Sequence, residues 1–116
     1  MDKEIMKGSI DILLLSLLAR KDMYGYEMAK SLKENSNDNY IMSEGTLYPA
    51  LKRLEKKEWI QSYWGDVERG GRRKYYRILA SGKEELNKKM EEWKKVNHLI
   101  HVTREGTAWT KGWNLT

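Results

Sequence analysis

Cysteine is absent from the 116 residues, and with it go disulfides, thiolate metal sites and thiol nucleophiles. That is compatible with the cytoplasm, which is the expected location. The most apolar stretch, residues 10–18, carries Asp11 and falls short of the ~20 residues that a spanning helix needs. It lacks a small-residue cleavage site, so neither a signal peptide nor a membrane partner is expected. Enzyme signatures are missing too: there is no phosphate-binding glycine motif, nucleophile elbow or HExxH. Residues 65–71 are glycine-rich but lack both the Walker spacing and a following Lys-Ser/Thr helix. A non-enzyme without cofactors is the expectation. His98 and His101 make at most half a metal site and read as solvated.

What is present is charge. Charged residues make up 34% and apolar residues 40%, the net charge is +5 and the pI is about 9.3. A basic balance favours polyanionic partners. The length suits one modest core, to which a helical dimer interface would add burial.

The hydrophobic periods give the order helix, helix, helix, hairpin, long helix. The first helix, roughly residues 4–20, is apolar nearly all round, which suggests that a second subunit covers one side. Asp22 is placed to cap the second, whose stripe is Gly25, Met28, Ala29 and Leu32. The polar residues 35–39 form a turn. Ser43 is placed to cap the third, with Leu47, Ala50, Leu51 and Leu54 on one face and a local distortion expected at Pro49, the single proline. Residues 59–64 and 72–79 read as two strands around a long glycine-rich tip, 65–71. Ser81 and Glu84 form a capping box opening a helix to about Thr103. Leu86, Met90, Trp93, Val96 and Ile100 run along one side of it as a narrow seam, the pattern of a helix packed on another helix.

This order is that of a winged helix-turn-helix. The fold class is mainly α with a two-stranded β-wing, over residues 1–80, followed by a dimerisation helix at 81–104 and a flexible tail at 105–116. A helix fits the major groove, and its N-terminal residues reach base edges. Ser43, Glu44, Thr46, Tyr48 and Lys52 lie off the leucine stripe of the third helix, where a reading face would be, although an ordinary solvated face looks the same. Arg69, Arg72, Arg73, Lys74 and Arg77 cluster on and beside the glycine-rich tip. Glycine lets backbone approach DNA and arginine suits both phosphate and base; the plainer reading is a solvated charge run that protects a sheet edge. Of Tyr24 and Tyr26, one is expected in the core and one at a phosphate. Trp93 on the seam is ordinarily core, but a two-fold axis beside it would set two indoles around a planar ligand.

Three stretches together resemble the PadR family of bacterial transcriptional regulators: Tyr24-Gly25-Tyr26-Glu27, residues 44–54 (EGTLYPALKRL) and residues 70–76 (GGRRKYY). The resemblance covers residues 4–104, and the family carries a proline at the place of Pro49. Residues 62–66 and 93–96 look like its short subfamily, which includes multidrug-sensing repressors. The resemblance implies a homodimer in which the last helix packs on the partner's first helix. It implies repression of a neighbouring transporter or stress gene, and of the regulator's own gene, through a pseudo-palindromic double-stranded DNA operator. It implies that Tyr26, Tyr48 and Lys52 approach DNA, and that Trp93 stacks planar aromatic or cationic small molecules in a pore at the dimer centre. Ile5, Gly8, Ile12, Val96 and Asn97 would line that pore. Asn97 stands where the multidrug-sensing pattern has an acid, and Lys89 where it has a small residue. Two other readings remain: a repressor with a purely structural dimer centre, and a protein-interaction adaptor on the same scaffold.

Overall fold

The computed structural model describes residues 1–106. Asp2 opens the chain's first helix, α1 (Lys3–Lys7), its carboxylate accepting from the Glu4 and Ile5 amides at 2.8 and 3.2 Å. Helix α2 (Ile10–Arg20) follows after Gly8 and Ser9. The single first helix expected from the sequence is thus two, and the break falls at a glycine, which costs ~1 kcal/mol relative to alanine in a helix interior. Strand β1 (Met23–Tyr24) leads into α3 (Gly25–Asn35). Asp22 does not cap α3; its carboxylate accepts the Tyr63 hydroxyl, and Tyr24 takes the N-cap position without a side-chain bond.

The turn after α3 places Asn37 and Asp38 in the left-handed region, at φ 51° and 64°, which these residue types tolerate better than most. Ser36 Oγ accepts from the Tyr40 amide at 2.9 Å and fixes the exit. Helix α4 (Glu44–Lys56) runs unbroken through Pro49. Strands β2 (Ile60–Val67) and β3 (Gly71–Ile78) extend further than expected, leaving only residues 68–70 as the tip. Gly70 there has φ 72°, and its amide bonds the Val67 carbonyl at 3.1 Å, the geometry of a three-residue hairpin. Strand β1 joins them, so the wing is the outer part of a three-stranded antiparallel sheet ordered β1-β3-β2.

Helix α5 (Ala80–Glu105) starts at Leu79 as N-cap, not at Ser81, whose hydroxyl donates instead to the Glu58 carbonyl. It ends at Gly106 in the left-handed conformation, φ 74°. The core gathers the leucines of α2 (Leu14, Leu15, Leu17, Leu18), Met28 and Leu32 of α3, Leu47, Ala50, Leu51 and Leu54 of α4, and Ile60 and Tyr76 of the sheet. Near the start of α5, Leu86 packs against this core. Trp109 and Trp113 in the expected tail lie outside the described residues.

Candidate nucleic-acid interface

The leucine stripe of α4 is consumed by the core, so its other side faces outward. Glu44, Tyr48 and Lys52 are exposed there, with Thr46 half-buried. Ser43 is the N-cap by position but bonds the Thr46 hydroxyl at 3.2 Å, leaving the first backbone amides of α4 without a side-chain cap. Open amides at a helix start attract anions.

Tyr48 reaches sideways, not straight out. Its ring lies across the first residue of α3, where Gly25 has no side chain to obstruct it. There it meets the base of the wing. Tyr26, Tyr48, Arg73 and Lys74 line one hollow of about 300 Å³ with Tyr24 and Tyr76. Tyr26 is 66% exposed and Tyr24 half-buried in the sheet; both line the hollow, and neither belongs to the core, where one of them was expected. Arg72 is not in the hollow and sits further out along β3. Ser43, Glu44, Thr46 and Lys52 are also outside it, along α4.

The wing has an order that composition did not reveal. Each basic residue of β3 stands over an aromatic ring: Arg73 over Tyr24 at 4.4 Å, Arg77 over Tyr63 at 5.4 Å, Arg72 over Trp64 at 5.5 Å and Lys74 over Tyr76 at 5.7 Å. Tyr63 and Tyr75 stack with centroids 5.7 Å apart, and Tyr24 meets Tyr75 edge-on at 5.6 Å. Ring faces attract cations, and so hold these otherwise flexible charges in place. The Tyr63 hydroxyl, bonded to the Asp22 carboxylate, has its pKa raised by that bond and further by burial. Tyr76 is raised chiefly by burial. Both stay neutral near pH 7 and add no charge to the wing.

A second concavity lies on another side, between α2, α4 and α5. This groove of about 540 Å³ brings together Gly8, Ile12, Trp93 and Val96 from the expected pore set. Ile5, 72% exposed, and Asn97, also exposed, are not part of its lining. Residues absent from that set stand in it instead: Arg53 of α4 bonded to Asp11 of α2 at 2.6 Å, and Lys7, Lys88 and Lys89. Lys89 lies over the Trp59 ring at 5.2 Å. Helix α5 leaves Trp93 and Val96 exposed in the groove and Met90, Leu99 and Ile100 exposed beyond it. His98, expected to be solvated, is only 3% exposed. No cluster of three metal-ligating side chains occurs among the described residues. No helix there is long and apolar enough to cross a membrane.

Comparison with known proteins agrees with this architecture. A transcriptional regulator from Clostridium thermocellum is similar in structure, with a TM-score of 0.79 and 38% identity, over 85% of this chain and 96% of that one. A PadR family transcription regulator from Clostridium difficile has a TM-score of 0.71 and 42% identity, over 80% and 95%. An uncharacterized protein from Lysinibacillus sphaericus is 43% identical over 89% of this chain and 94% of its own length. The Escherichia coli transcriptional regulator YqjI is 27% identical over 87% of this chain, which spans 47% of YqjI. The model of the PadR-like transcriptional regulator family matches residues 14–88, and the chain belongs to that family.

Proposed function

We propose that this protein is a homodimeric, sequence-specific transcriptional repressor that binds a pseudo-palindromic duplex and is released from it by a planar aromatic ligand. The observation that carries the DNA reading is the hollow where Tyr26, Tyr48, Arg73 and Lys74 meet. It joins the start of α3, the outer face of α4 and the base of the wing into one surface. On that surface α4 enters the major groove, with Ser43, Glu44, Thr46 and Lys52 along it. Arg72, Arg73 and Lys74 neutralise flanking phosphates, which position the protein without reading sequence.

The dimer reading rests on α5. A helix that exposes Trp93 at 53%, Val96 at 56%, Leu99 at 53% and Ile100 at 60% has an apolar side left for a partner. The partner proposed is a second copy, whose two-fold symmetry would match a symmetric operator. The ligand reading rests on Trp93 facing the groove. The regulated genes are proposed to be a transporter or stress gene and the regulator's own.

The test is in vitro selection from a random duplex pool, with sedimentation of the free protein. Recovery of two-fold symmetric sites, with half-sites about one helical turn apart, and a dimer at micromolar concentration are expected. A monomer under those conditions, or a pool that shows no enrichment, overturns the proposal.

A further inference from the structure

We infer that the Arg53–Asp11 ion pair couples the Trp93 groove to the recognition helix. A planar aromatic anion in the groove competes with Asp11 for Arg53 and so loosens α4 from α2. The inference rests on the reading of the groove as a ligand site and adds to it the charge of the ligand and the route to DNA.

The placement is specific. Arg53 lies on α4, five residues beyond Tyr48 and next to Lys52, and its guanidinium lines the groove and bonds Asp11 at 2.6 Å. Asp11 lies in the first turn of α2, where the helix dipole also favours a carboxylate. One contact is therefore both part of the groove wall and a tie between the helix that would read DNA and the helix beneath it. The pair has the exposure a switch needs: the side chains are 47% and 20% exposed, so a ligand group can reach Arg53.

The charge of the ligand follows from the rest of the wall. The Arg53–Asp11 pair is neutral as a unit. Glu92 has Lys95, which does not line the groove, at 3.6 Å. What remains is Lys7, Lys88 and Lys89 against Glu85, a cationic excess around an aromatic floor of Trp93. An anionic ring stacks on Trp93 and places its charge among these lysines and Arg53. A cationic ring meets the same lysines as repulsion.

The probe is 8-anilinonaphthalene-1-sulfonate, an aromatic anion whose flat naphthalene can stack on Trp93 and whose fluorescence reports binding, with ethidium as the cationic comparison. Both are titrated first without DNA. Wild type should bind the anion more tightly than ethidium, and Trp93→Ala should lose it. Asp11→Asn should bind the anion about two- to five-fold more tightly, the range an ion pair of this exposure supports. The same variant should bind a selected duplex more weakly by a similar factor. That sign is diagnostic, because removing an acid makes the protein more cationic and would by itself strengthen binding to DNA. The anion should weaken wild-type duplex binding, and the duplex should weaken anion binding by the same factor.

Arg53→Gln should lose anion affinity and Arg53→Lys should retain most of it, which answers the question even if Asp11→Asn fails to fold. Anion binding that survives Trp93→Ala overturns the groove as a ligand site. Binding lost in Trp93→Ala but unmoved in Asp11→Asn and Arg53→Gln leaves the site and overturns the coupling. Tighter binding of ethidium overturns the charge assignment.

Discussion

A methyl group on Gly25 would sit 2.6 Å from the Tyr48 hydroxyl oxygen and 2.9 Å from its ring. The bare backbone at the start of α3 is thus what allows a side chain of α4 to lie against the base of the wing. Alanine at a helical glycine ordinarily stabilises by about 0.5–1 kcal/mol. Here the gain is opposed by the clash, and Tyr48, 45% exposed, can swing outward to relieve it. Gly25→Ala should therefore change urea stability by less than about 1 kcal/mol while lowering duplex affinity. In a Tyr48→Ala background, Gly25→Ala should cost no further affinity. A full loss in both backgrounds would show that Gly25 acts other than through Tyr48.

Gly82 presents the same substitution with the opposite expectation for stability. A Cβ there would overlap the Trp59 carbonyl oxygen and lie 2.8 Å from Ile78 Cγ1. That carbonyl already accepts the Leu79 amide at 2.9 Å, so it is fixed backbone and cannot swing away. Gly82→Ala should destabilise by about 1–3 kcal/mol, the usual range for overpacking, despite the better helix propensity of alanine. Gly45→Ala is the control: its nearest neighbour would be 3.8 Å away, in ordinary contact. A thermal melt in which Gly82→Ala matches Gly45→Ala would contradict the close packing of α5 on the α4–β2 corner.

The helices were legible because periodicity is a local signal. Met28 with Leu32, and Leu47 with Ala50, Leu51 and Leu54, are buried as their spacing requires. What sequence could not show depends on partners distant in the chain. Strand β1 is two residues long, too short to alternate, and exists because Tyr75 and Tyr76 pair with it. Asp22 and Ser81 have the right residue types for caps, yet topology offers Asp22 the Tyr63 hydroxyl and Ser81 the Glu58 carbonyl. Gly65 reads as loop, but it lies within β2 because the Tyr75 ring occupies the space of its missing side chain, 2.7 Å from where a Cβ would be. At the candidate interface, the basic cluster was visible as composition, whereas the rings beneath each cation come partly from other strands. Asp11 and Arg53 gave no signal at all, being 42 residues apart with nothing unusual around either.

The Tyr63–Asp22 bond sets an alkaline limit on the sheet. The folded-state pKa of Tyr63 is raised above the ordinary 10.0, first by donating to Asp22. A raised pKa means that the bond's contribution is complete below the unfolded value and is lost as pH rises through the folded one. Stability should be flat from this source near neutrality and fall above pH 10.0. Tyr63→Phe should lower stability at pH 7 and make the alkaline decline shallower. Some decline should persist, because burial raises Tyr76 and Tyr40 as well. Urea melts of both proteins across the alkaline range decide the matter; parallel curves would mean that the bond contributes nothing in solution.

The wing separates two properties that a basic cluster usually confounds, charge and its placement. Each phosphate neutralised releases counterions and adds about 0.9 to the slope of log affinity against log salt. Arg72→Ala with Arg73→Ala should lower duplex affinity and flatten that slope by up to about 1.8. Tyr24→Leu leaves every charge in place but removes the ring 4.4 Å beneath Arg73. If the ring's role is to hold the guanidinium toward the hollow, Tyr24→Leu should weaken binding with little change in slope, since Arg73 still reaches a phosphate but must be ordered to do so. The two variants therefore move different observables. An unchanged slope in the double arginine variant would remove the wing from the interface. A slope in Tyr24→Leu as shallow as that of Arg73→Ala alone would show that without the ring Arg73 no longer reaches DNA. Anisotropy titrations of one selected duplex at several salt concentrations distinguish these outcomes.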